Sequence, residues 1–161
     1  MVSIIVRTAA KLAMLLSPTA VETESKRFQL RIDADSRLAA AAGGIAKFMA
    51  DAAGLETSVV SRLQAAVIAA CEEAFCHLSG DHPQLAVTFT RFADRIEVAF
   101  SHQGEPKPVI GLDVIAGFAS PMGGSGAQNV FEGVDRVQYE THGPEAVTRL
   151  TKYFRGVSPG L

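Results

Sequence analysis

The chain has 161 residues, 48% apolar and 20% charged, with a formal charge of −2. That suits one globular domain with its own core and excludes a disordered chain. Lys and Arg are scattered rather than gathered on one face, which argues against direct nucleic-acid binding.

Residues 1–26 read as an N-terminal extension and linker. The apolar run Leu12–Leu16 follows Lys11, which leaves it too short for a secretory core and far too short to cross a membrane. We read the segment as weakly amphipathic, a docking or dimer element, or the product of a start codon set too early. The domain proper is expected over residues 27–155, with 156–161 as a tail.

Phe28, Leu30 and Ile32 alternate with Gln29 and Arg31, the period-two pattern of a half-buried strand. Asp33, Asp35 and Ser36 are N-cap candidates for a helix whose apolar positions are Leu38, Ala41, Ile45, Phe48, Met49 and Ala52, stopped by Gly54. Gly43 and Gly44 weaken it by about 1 kcal/mol each unless close packing compensates. A second helix follows Thr57-Ser58 with a stripe of Val60, Leu63, Val67, Ala70, Cys71, Ala74 and Leu78. Cys71 and Cys76, five residues apart on this helix, diverge around its axis. With no CxxC and no histidine at ligand spacing, they read as buried, inert thiols in a reducing, cytoplasmic compartment.

Leu85, Val87 and Phe89, then Ile96, Val98 and Phe100, mark a hairpin around Asp94-Arg95. Residues 101–126 are rich in Gly and Pro and read as a long irregular loop with one short amphipathic turn at Leu112, Ile115 and Phe118. A weak helix over 128–134 and a last hairpin around His142-Gly143-Pro144 complete the chain. Arg149 and Lys152 fall on opposite parities, so the buried face of the last strand stays undecided. The order predicts an α+β fold, a two-layer α/β sandwich with a mixed, mostly antiparallel sheet and helices on one face.

This organisation resembles the anti-sigma-factor serine kinases of bacterial partner-switching systems, a branch of the histidine-kinase-like (GHKL) ATPases. The likeness covers Arg27 to Phe154. Val67 to His77 is similar to the family's ATP-binding helix, Ile96 to Gly104 to its strand ending in Asp-x-Gly, and Gly124-Ser-Gly126 to its glycine-rich turn. Asp135-Arg-Val137 is similar to its Asp-x-Val. In such a family the helix carries a Glu that polarises the attacking hydroxyl and, four residues later, an Asn that holds Mg²⁺. Here those positions are Ala69, which cannot accept a proton, and Glu73, which remains a candidate metal ligand but adds negative charge beside a triphosphate. Glu72, a possible displaced base, points about 100° away. The adenine-reading Asp is replaced by His102, whose neutral ring keeps one acceptor nitrogen. Gly104, Gly124 and Gly126 stand where backbone must approach phosphate or ring.

The resemblance therefore implies cofactor contacts at Glu73, His77, His102, Gly104, Gly124 and Gly126, with Glu73 as metal ligand, and ATP or ADP with Mg²⁺ as the cofactor such a site would take. With Ala69 at the expected base position, it assigns no catalytic residue. Each residue also has a plainer role. Glu72-Glu73 suits a solvated helix face, His77 an ion pair with Glu73, His102 a loop, and the glycines a turn.

The implied function is a pseudoenzyme: a cytoplasmic signalling and transcription-regulating domain that binds a sigma factor or its antagonist, with homodimers expected and no membrane or nucleic-acid contact. The alternative is an active ATP-dependent serine kinase using Glu72 and Glu73. A third possibility is a purely structural homodimer domain.

Overall fold

A computed structural model describes residues 26–103 and 131–154, together with the backbone of 3–7. The period-two runs become strands and the 3.6-period runs become helices. In chain order these are β1 (Ser3–Arg7), β2 (Lys26–Asp33), α1 (Ser36–Ala52), α2 (Thr57–Phe75), β3 (Gln84–Arg91), β4 (Arg95–Gln103), β5 (Arg136–His142) and β6 (Glu145–Tyr153). The strands form one six-stranded sheet in the order β1-β2-β3-β4-β6-β5. Every pairing is antiparallel.

One layer is this sheet and the other is the helix pair, so the fold is the expected α+β two-layer sandwich. Leu30 and Ile32 of β2, Leu85, Val87 and Phe89 of β3, and Ile96, Val98 and Phe100 of β4 share a single core with both helices. Alternation sends the intervening residues of these strands to the opposite, open face. The sheet also reaches back into the N-terminal extension, because β1 pairs with β2 from Ser3↔Arg31 to Arg7↔Arg27.

Asp35 caps α1, its carboxylate accepting from Arg37 N at 2.8 Å. Hydrogen bonds from the Arg37 side chain and backbone hold that carboxyl down at about 2. Beyond the cap, α1 departs from its expected face. Its buried residues are Ala39, Ala42, Gly43, Ala46, Met49 and Ala50, while Phe48 is 64% exposed and Ala41 and Ala52 are exposed. The small-residue stripe wins because it lets α1 approach α2 closely. A Cβ at Gly43 would lie 2.5 Å from Ile68 Cγ1, whereas one at Gly44 would meet nothing within 4 Å.

The stripe expected on α2 holds from Val60 to Ala74, with Val60, Leu63, Val67, Ala70, Cys71 and Ala74 buried and Ala66 added to it. The helix ends at Phe75, so Leu78 lies beyond it and is half-buried. Burial, with the Glu72 charge adding, pushes the Cys71 thiol up to about 12. Cys76 departs from expectation. It is exposed, just past the end of α2, with Sγ donating to Glu72 O at 3.6 Å.

On β6, both parities are covered. Ala146, Thr148 and Leu150 stand on the helix side, while Val147 and Thr151 are buried on the other. Asp135 pins the far end of this hairpin, accepting from Tyr153 N at 2.7 Å and Lys152 Nζ at 2.8 Å.

Candidate functional site

Two of the expected site residues lie on the C-terminal half of α2 and its continuation. Ala69 is half-buried and packs against the core. Glu73, one turn on, is half-buried and engaged in an interaction of its own. Glu72 is exposed, as its position about 100° around the helix requires. His77 follows the helix in a turn, its N–H donating to Ala74 O at 2.9 Å, and is exposed.

His102 lies within β4 and not in a loop. It stands opposite Ala146 and is only 3% exposed. It lines a cleft of about 300 Å³ at one end of the sheet, shared with Leu78, His82, Gln84 and Gln103. The fold thus brings His102 to the chain that leaves α2 just after His77. Gly104, Gly124 and Gly126 lie outside the described residues, as do the loop turn at 112–118 and most of the weak helix at 128–134.

Where that helix was expected to end, residues 131–133 form a turn. Phe131 and Val134 are buried there, and Gly133 sits so close to the Arg62–Leu63 backbone that any Cβ would collide with it. Asp135 of the Asp-x-Val string has the anchoring role already described.

Mg²⁺ beside a phosphate is commonly held by one or two carboxylates, with water and phosphate completing its shell. The Ala69–Glu73 face of α2 supplies one carboxylate, Glu73, and a methyl group at Ala69. Among the described residues no three of His, Cys, Asp and Glu come together to hold a metal ion. Nor is any described helix long and apolar enough to cross a membrane.

A second concave region lies on the open face of the sheet, and the sequence reading missed it. It measures about 490 Å³, with Arg27, Thr88, Ala99, Val147 and Arg149 among its lining. A chain of opposite charges runs beside it across three strands. Arg95 Nε donates to Glu97 at 2.7 Å, Arg149 donates to Glu97 at 3.0 Å and stands 3.6 Å from Glu140, and Glu140 meets His142 at 3.2 Å. The available signal was the small outward residues Ala86, Thr88, Ala99 and Ser101 in mid-strand, where exposed sheet positions usually carry longer polar chains.

Comparison with models of known protein families finds no match. A search of curated proteins finds none either.

Proposed function

We propose that the chain is a regulatory domain of the anti-sigma serine-kinase type that acts by protein–protein contact, with ATP hydrolysis and phosphotransfer impaired. One observation carries the proposal. On the face of α2 where a base and a metal ligand would stand one turn apart, Ala69 is half-buried against the core and only Glu73 remains. Glu72 faces solvent and is poorly placed to substitute as base, because a general base must come within hydrogen-bond reach of the proton it takes. Burial of His102 beside the cleft is compatible with a residual adenine contact and supplies no catalysis. On this reading the protein works in the cytoplasm, its partner is a sigma factor or an antagonist of one, and it pairs with itself.

Calorimetric titration of ATP and ADP, with and without Mg²⁺, tests the reading, together with phosphotransfer to a candidate partner serine. The expected result is little or no heat at millimolar nucleotide and no transfer. Micromolar, Mg²⁺-dependent binding with turnover abolished by Glu72→Gln/Glu73→Gln would establish the active-kinase alternative instead.

A further inference from the structure

The two concave regions adjoin, since Ser101 and Glu145 line both. Together they make a trough that runs along the open face and out over one end of the sheet. Its floor is β3 and β4, where Ala86, Thr88, Ala99 and Ser101 are small and half-buried. One wall is β2, with Arg27 and Arg31; the other is β6, with Arg149. The walls are three strand spacings apart in the sheet order, roughly 14 Å. An α-helix with its side chains is about 10–12 Å across. The open face of an antiparallel sheet is ordinarily just solvated. A floor of small residues between taller walls is a different shape, and it fits a rod.

The charges choose the rod. On the β6 side, Arg149 is tied to Glu97 and Glu140, and Arg95 to Glu97. Arg149 Nε is shielded from solvent and meets no acceptor among the described residues. On the β2 side, no ion pair or hydrogen bond engages the side chains of Arg27 and Arg31 among the described residues, and both are exposed. The lining charges outside any ion pair among the described residues are thus basic on the β2 side, Arg27 and Arg31, and acidic at the opposite wall and the sheet end, Glu145 and Asp81. The Arg27–Arg31 separation along the strand is about 13 Å. Helix positions seven apart lie about 10.5 Å apart and nearly in line, within the reach of two long arginines. Glu145 at the opposite wall, the ion-paired state of Arg149 and the net charge of −2 disfavour a polyphosphate or nucleic acid, which would need positive charge on both sides.

We infer that this trough docks an amphipathic helix of a partner protein, its small apolar side on Ala99 and Ser101 and a row of carboxylates against Arg27 and Arg31. The inference deepens the protein-contact function proposed above and rests on it for the existence of a partner.

The test uses the full chain and a labelled helical peptide of roughly 18 residues, about 27 Å long, with alanines on one side and glutamates seven apart beside them. A second peptide carries lysine in place of glutamate. Fluorescence anisotropy is read at low and physiological salt on wild type, Arg27→Glu/Arg31→Glu and Ala99→Trp, with Phe48→Ser on the helix layer as control. Thermal melting of each variant establishes that it folds.

The acidic peptide should bind wild type and Phe48→Ser alike and weaken with salt. It should lose at least about tenfold in affinity on the charge-reversed variant and on Ala99→Trp. The lysine peptide should prefer the reversed variant. The inference is overturned by no binding at millimolar peptide, by binding indifferent to both variants, or by equal binding of the lysine peptide. It is also overturned by equally tight, Arg27/Arg31-dependent binding of a single-stranded oligonucleotide, or by sedimentation showing a dimer that Arg27→Glu/Arg31→Glu and Ala99→Trp both dissociate. The nucleotide titration is run on the same samples, so failure of the docking site and failure of the non-catalytic reading are seen separately.

Discussion

A methyl group added at Gly43 meets Ile68 Cγ1 at 2.5 Å and Cδ1 at 2.8 Å, while one added at the next residue meets open space. Both glycines are helical and neither has a positive φ, so alanine suits the backbone at each. Gly44→Ala is expected to stabilise the fold by about 0.5–1 kcal/mol, because a helical glycine is that much less favourable than alanine. Gly43→Ala gains the same propensity but overpacks the α1–α2 contact, at a cost of about 1–3 kcal/mol. Its net effect is a loss. Urea midpoints check the pair: Gly44→Ala should rise and Gly43→Ala should fall. If both rise, Ile68 swings clear and the close approach is not what makes Gly43 useful. The sequence offered the two glycines as one weakness; only three-dimensional packing separates them. The same limit applied to His102, whose position at a strand end was legible and whose burial was not. Ala69 and Glu73, by contrast, could be placed from helical spacing alone, because four residues fix a shared face whatever packs there.

At the scale of the element, α1 shows how apolar periodicity misleads. Large side chains suggested a face through Leu38, Ile45 and Phe48. The buried face is instead Ala39, Ala42, Gly43, Ala46, Met49 and Ala50. Alanine carries a weak hydropathy signal, yet a helix lying against both a sheet and a second helix needs small residues on its inner side. Ala46→Leu should therefore destabilise by about 1–3 kcal/mol through overpacking, while Phe48→Ser should stay within about 0.5 kcal/mol of wild type. Thermal or urea denaturation of the two variants checks this, and the reverse ranking would restore the face expected from hydropathy. The β3–β4 hairpin was legible because its buried positions are Leu, Val, Ile and Phe at strict period two, and α2 because Val60, Leu63 and Val67 mark the face that its alanines and Cys71 continue. β6 was not, because Val147 and Thr151 are buried on the face opposite Leu150, so no single parity marks its core side.

For the molecule as a whole, the layer arrangement followed from element order, but the arrangement of strands did not. β4 and β5 are each antiparallel to β6, which lies between them, so they run in the same direction. The chain leaving β4 must therefore travel back the length of the sheet before β5 can begin. Phe131 and Val134, buried with the core, and Gly133, against α2, show that it arrives on the helix side. Among the described residues both helices and the 131–134 turn lie on that one side, so the trough and its charge chain share the opposite face.

The interleaving of β6 has one more consequence, for the chain in two pieces. A break anywhere between residues 104 and 130 yields one piece holding β1–β4 with both helices and another holding β5 and β6. The second piece still has its place in the sheet, along nine residue pairs from Arg95↔Tyr153 to Gln103↔Glu145. Co-expressed halves, tagged on one side only, should then co-purify and rebuild the domain without a covalent link, and Leu150→Asp in the smaller half should prevent it. Halves that elute separately would mean that the peptide connection, rather than strand pairing, holds them together. A regulator that can be reconstituted this way is a reporter of proximity: each half fused to one member of a pair would report their meeting by completing the sheet.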